Sequence, residues 1–99
     1  MKNICVIGSL NMDLVVNVDT MPKPGQTIIG SNFKEVPGGK GANQAVAMAR
    51  LNGNVSMIGK VGEDGFGQTL INSLKNDKVD TTYIQTSKGA TGVALITVD

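Results

Sequence analysis

Two spacings of apolar residues run along the chain, and their order predicts its elements. Residues 3–10, NICVIGSL, form a short β-branched run of the kind that makes a buried strand. Residues 14–19 alternate: Leu14, Val16 and Val18 share one side, and Val15, Asn17 and Asp19 share the other. Pro22, Pro24 and Gly25 then impose an extended turn, and residues 27–36 can return as an antiparallel partner. Residues 14–36 therefore read as a hairpin-like excursion. After a glycine cluster the period changes. Ala42, Ala45, Val46 and Ala49 follow helical spacing, with a narrow small-residue face suited to close packing on a sheet, and Gly53 is a stop signal. Residues 55–62 predict a strand. A second helix follows, with Phe66, Leu70 and Leu74 every fourth residue and Asp64 as its N-cap. Residues 81–88 and 92–99 predict two more strands. Alternating strands and helices imply an α/β fold with a mostly parallel sheet and flanking helices.

Composition narrows the function. The 99 residues fit one domain, and the net charge of +1 gives no electrostatic reason to expect nucleic acid or a membrane surface as partner. Aromatic residues make up 3%, too few for base-stacking platforms, and there is no histidine to act as general base or metal ligand. The single cysteine, Cys5, lies in the first apolar run. It reads as a buried, inert thiol, which fits a cytoplasmic protein. The apolar stretch at the start is too short for a signal peptide or a membrane span.

The unusual chemistry sits at residues 38–43, GGKGAN, where three glycines surround Lys40 just before a helix. Glycine there costs about 0.5–1 kcal/mol against alanine in regular structure, so it marks positive φ or a close approach. A P-loop is excluded, because Lys40 is followed by Gly41 instead of Ser or Thr, and Lys34 stands where the first glycine belongs. The dinucleotide fingerprint fails too, since neither residues 8–13 nor 62–67 carry its spacing. A small polyhydroxylated ligand fits better. Asn11 and Asp13 leave the first strand at its C-terminal edge, two apart and so on one side, and the glycine cluster enters a helix at the same edge. A carboxylate, the amides of Asn11 and Asn43, backbone N–H groups and one ammonium supply the mixed donors and acceptors that sugar hydroxyls need.

These residues carry a resemblance. IGSLNMDLV, PGQTIIG, GGKGANQAVAMARLNGNVSMIGKVGEDGFG and TGVALITVD, in this order over essentially all 99 residues, resemble the N-terminal part of the ribokinase/PfkB family of carbohydrate kinases. The pairing of Asn11-x-Asp13 with GGKGAN points to its ribose-specific branch. The resemblance implies ATP-dependent phosphorylation of the 5-hydroxyl of D-ribose, with Mg2+ and a monovalent cation such as K+ in the complete enzyme and neither ATP nor metal held by this chain alone. It implies sugar contacts from Asn11, Met12, Asp13, Gly39, Lys40, Gly41, Ala42 and Asn43, with Lys40 near the transferred phosphoryl group. It makes the excursion at about 14–36 a β-sheet lid that pairs with a second lid in a homodimer. It puts the catalytic aspartate in a Gly-Ala-Gly-Asp segment, which these 99 residues do not contain. Asp13 is therefore a sugar ligand and no catalytic residue is assigned. The apolar pattern breaking off at Asp99 suggests the N-terminal part of a longer protein, inactive alone.

Blander readings stay open beside these. Asn11 and Asp13 can be turn residues at a strand end, and Lys40 a surface lysine. Residues 61–67 read as a plain turn and helix cap, Asp19 and Glu35 as solvated lid charges, and the five methionines as filler. The other function classes are a naturally short, non-catalytic sugar-binding or dimerisation module, a kinase of the same family acting on another sugar, and a nucleotide-binding oxidoreductase domain.

Overall fold

The computed structural model describes residues 3–99. Its elements run β1 (Asn3–Ile7), β2 (Asn11–Asn17), β3 (Ser31–Gly38), α1 (Lys40–Arg50), β4 (Asn54–Gly62), α2 (Gly65–Asn76), β5 (Ile84–Ser87) and β6 (Val93–Val98). They form two three-stranded sheets. The first has the order β1-β4-β5 with every pair parallel, and the second the order β3-β2-β6. In the second, β2 pairs antiparallel with β3 and parallel with β6.

Both helices pack on one face of the first sheet. Ala42 and Ala45 from α1 and Leu70 and Leu74 from α2 close over Val6, Val55, Met57 and Val61. The alanine face of α1 lets its backbone approach the strands. Val46, Ala49 and Phe66 border this core, so the apolar spacing predicted for both helices is the spacing they bury. Asp64 caps α2 as predicted, accepting the Gly67 N–H at 2.8 Å. The stop of α1 differs by one residue. Asn52 takes the left-handed conformation (φ 66°), and Gly53 then donates its N–H to the Met48 carbonyl.

Three expectations change. Residues 93–98 do not extend the first sheet; they cross to the second and lie beside β2, so the sheet expected to have two strands has three. An apolar strand satisfies either sheet, and its pattern alone does not choose. Asn11 and Asp13 are not in a loop beyond the first strand but open β2 itself. Cys5 is exposed, not buried. It shares with Ile7 (79% exposed) and Ile58 the face of the first sheet that carries no helix.

Apart from Met12 and Leu14 of β2, the second sheet stands away from the core. β3 is exposed along its length up to the buried Gly38, and most of β6 is exposed as well. The Cα radius of gyration is 15.8 Å, against about 13 Å for a compact chain of this length. No helix among the described residues is long and apolar enough to cross a membrane.

Candidate functional site

The two polar stretches singled out in the sequence meet where the sheets join. Asn11 opposes Gly38 across the β2–β3 ladder, Met12 opposes Pro37, and Asp13 opposes Val36. Asn11 and Asp13 point to the same side, and the Asn11 side-chain amide donates to Asp13 Oδ1 at 2.8 Å. This bond orients the carboxylate and leaves Oδ2, the amide carbonyl and the second amide hydrogen to face a ligand.

Each glycine of the cluster answers a separate steric demand. A Cβ at Gly38 would lie 2.7 Å from Asp13 Oδ2, so any larger residue there would push the carboxylate from its place over this strand. Gly39 has φ 104°, and a Cβ there would also meet the Ser9 carbonyl oxygen at 2.5 Å. Gly41 crosses the chain just after β1, where its own Cβ would lie 2.7 Å from the Gly8 Cα. The first turn of α1 is thereby held against the end of β1, with Ala42 donating its N–H to the Ser9 carbonyl at 3.2 Å.

No side chain caps α1, and its first turn contains no acid. The first N–H groups of a helix have no intrahelical acceptor, so this end presents donors and a positive potential. Lys40 is exposed beside it.

The remaining predicted contacts divide. Met12 is fully buried and Ala42 nearly so, and both side chains belong to the core. They can offer a ligand only backbone atoms, and the Met12 N–H is already bonded to the Gly92 carbonyl at 3.0 Å. Asn43 lines a groove of about 250 Å³ between α1 and α2, with Leu10, Pro37 and Val46, and no hydrogen bond joins it to Asn11 or Asp13 among the described residues. That groove ends at the Arg50–Asp77 ion pair (3.2 Å). The Asn11–Asp13 pair lines none of the enclosed concavities described; it sits on open sheet surface. Chemistry, not concavity, therefore singles it out. Among the described residues no three His, Cys, Asp or Glu side chains come together as a metal-binding cluster.

Sequence reasoning left Thr91 unremarked. Its hydroxyl, buried, donates to Asp64 Oδ1 at 2.6 Å and accepts the Gly62 N–H at 2.9 Å. Only its place in the small-residue run 89–92, Gly-Ala-Thr-Gly, hinted at a tight packing site.

The profile of the pfkB family of carbohydrate kinases matches residues 1–99. The chain belongs to this family. Among its relatives, a ribokinase of Bacillus subtilis is 58% identical over 85 residues, 86% of this chain and 29% of that one. A deoxyribokinase of Salmonella typhi is 47% identical over 83 residues, 84% of this chain and 27% of that one. The structure of Arabidopsis thaliana ribokinase complexed with ribose and ATP superposes with a TM-score of 0.87 at 33% identity, covering 95% of this chain and 31% of that one. The chain thus spans less than a third of the length of these family members. Within that span the pfkB fold includes both sheets and the glycine-rich entry to α1.

Proposed function

We propose that this chain forms the sugar-facing part of an ATP-dependent ribokinase, which phosphorylates the 5-hydroxyl of D-ribose. The observation that carries the reading is the hydrogen-bonded Asn11–Asp13 pair set against Gly38 and Gly39. It supplies a pre-oriented carboxylate and an amide within reach of one small ligand. The ribokinases among its relatives, and the ribose and ATP bound in the Arabidopsis structure, support the same substrate.

In this reading Asp13 accepts hydrogen bonds from sugar hydroxyls, and Asn11 both holds the carboxylate and donates to the ring substituents. The open N-terminus of α1 and Lys40 place positive potential beside the sugar, where a phosphoryl group carries negative charge. ATP supplies the phosphoryl group. Because the chain spans under a third of the length of its relatives, we assign ATP and its metal to other parts of the enzyme and expect residues 1–99 alone to lack kinase activity. The second sheet acts as a lid over the sugar and excludes water. Val36, Ile96 and Val98 are exposed apolar residues of that sheet, and we assign them to contact with a second lid in a homodimer.

Each charge-assisted hydrogen bond to Asp13 is worth about 1.5–3 kcal/mol. In the intact enzyme Asp13→Ala therefore weakens ribose binding at least about tenfold. Calorimetry on folded variant and wild-type protein checks this, and unchanged affinity refutes the assignment. The deoxyribokinase relative supports 2-deoxyribose as a second substrate reading. Titrating both sugars decides between them.

A further inference from the structure

Thr91 is the only buried polar side chain described, and it lies where the chain leaves the first sheet for the second, between β5 and β6. Capping α2 needs a single oxygen of Asp64. Yet both oxygens are engaged. Oδ1 accepts from the Gly67 N–H (2.8 Å) and the Thr91 hydroxyl (2.6 Å), and Oδ2 accepts from the Thr91 N–H (2.8 Å). The hydroxyl of Thr91 also accepts the Gly62 N–H at the end of β4. The packing is close enough that a Cβ at Gly62 would overlap the Thr91 backbone nitrogen. Two elements, the end of β4 and the start of α2, are therefore pinned to one threonine.

The connection continues into the candidate site. The residue after Thr91 is Gly92, whose carbonyl accepts the Met12 N–H at 3.0 Å, and Val93 and Ala94 then pair with Met12 and Asp13. Met12 separates Asn11 from Asp13, and its buried side chain leaves it no freedom to shift alone.

We propose that Thr91 and Asp64 are positioning residues for the sugar-binding pair. Their clasp sets where β6 enters the second sheet, and through Gly92 and Met12 it sets where Asn11 and Asp13 present their polar groups. A valine side chain fills the volume of the threonine's but can neither accept from the Gly62 N–H nor donate to Asp64 Oδ1, while the backbone N–H bond to Oδ2 remains. This inference rests on the reading of Asn11 and Asp13 as sugar contacts, but its mechanical half does not depend on any sugar.

The test compares Thr91→Val and Thr91→Ser in the intact protein by ribose calorimetry and by amide hydrogen exchange at Met12 and at Met57 in the core. A small misplacement of binding groups costs an order of magnitude or more, so Thr91→Val is expected to weaken ribose binding about tenfold and to speed exchange at Met12 far more than at Met57. Thr91→Ser, which keeps the hydroxyl, is expected to stay near wild type in both. If valine prevents folding, Thr91→Ala against Thr91→Ser isolates the hydroxyl with no added bulk. Equal exchange at Met12 in the hydroxyl-bearing and hydroxyl-free variants overturns the proposal, as does a loss shared equally by Met12 and Met57. Wild-type protein that fails to bind ribose refutes the sugar reading instead, and the exchange comparison still decides the clasp.

Discussion

Asp64 is surrounded by donors, and that governs how it takes up a proton. The Thr91 hydroxyl, then the Thr91 and Gly67 N–H groups, stabilise its charged form and hold its carboxyl below the ordinary aspartate value of 3.8. Asp80 is lowered likewise, by the hydroxyl and then the N–H of Thr82. Above the ordinary value both folded and unfolded chains are ionised, and these bonds contribute in full. As the pH falls through that value the unfolded chain binds protons first, so stability declines, and the contribution is gone once the folded carboxyl is protonated. Thermal melts between about pH 4 and pH 2 are expected to show this decline, with a shallower slope in Asp64→Asn. An identical slope in that variant refutes the assignment. At the same scale the glycine cluster is a set of three clearances, not a flexible loop. Gly38 clears a carboxylate, Gly39 a carbonyl oxygen and Gly41 a crossing strand end.

Both helices end in the same way, with a non-glycine residue in the left-handed region. Asn52 (φ 66°) follows α1 and Lys78 (φ 63°) follows α2, and in each case the next N–H reaches back to close the last turn. Left-handed backbone costs a residue with a Cβ on the order of 1 kcal/mol, less for asparagine. Part of that gain is returned because glycine loosens the unfolded chain. Lys78→Gly is therefore expected to raise stability by about 0.5 kcal/mol in urea titrations, and Asn52→Gly by less. A loss in Lys78→Gly contradicts the account. Helices were the legible elements because their spacing reports a single buried face, as Leu70 and Leu74 show. Strands were less so. The apolar run around Cys5 reads as buried on both sides, but helices cover only one face of that sheet, and sequence spacing carries no record of which layer is present. The side-by-side setting of Asn11 and Asp13 was legible from the two-residue period, and the approach of GGKGAN from the glycines. The partnership of Asp64 with Thr91 was not, because nothing local links residues 27 positions apart.

The whole molecule is two sheets joined at crossings, with the polar pair at the seam. Most hydrophobic burial belongs to the first sheet and its helices, with Met12 as the second sheet's fully buried contribution, while that sheet exposes Phe33, Val36, Leu95 and Val98. In the proposed function this sheet is the cover over the sugar, and its apolar surface is the part assigned to a second lid. The pairing of β2 with β6 has one more consequence. Met12 and Val93 are neighbours across the ladder though they stand 81 positions apart. Closing so long a loop costs entropy that the pairing recovers only once both ends are in place. The seam between them is therefore the last to zip during refolding. Pulse-labelling exchange is expected to protect β1 and β4 amides before those of β2, and the reverse order refutes this. The polar pair would then gain its geometry only in the final step of the chain's assembly, so under the proposed function an unfinished molecule is blind to sugar.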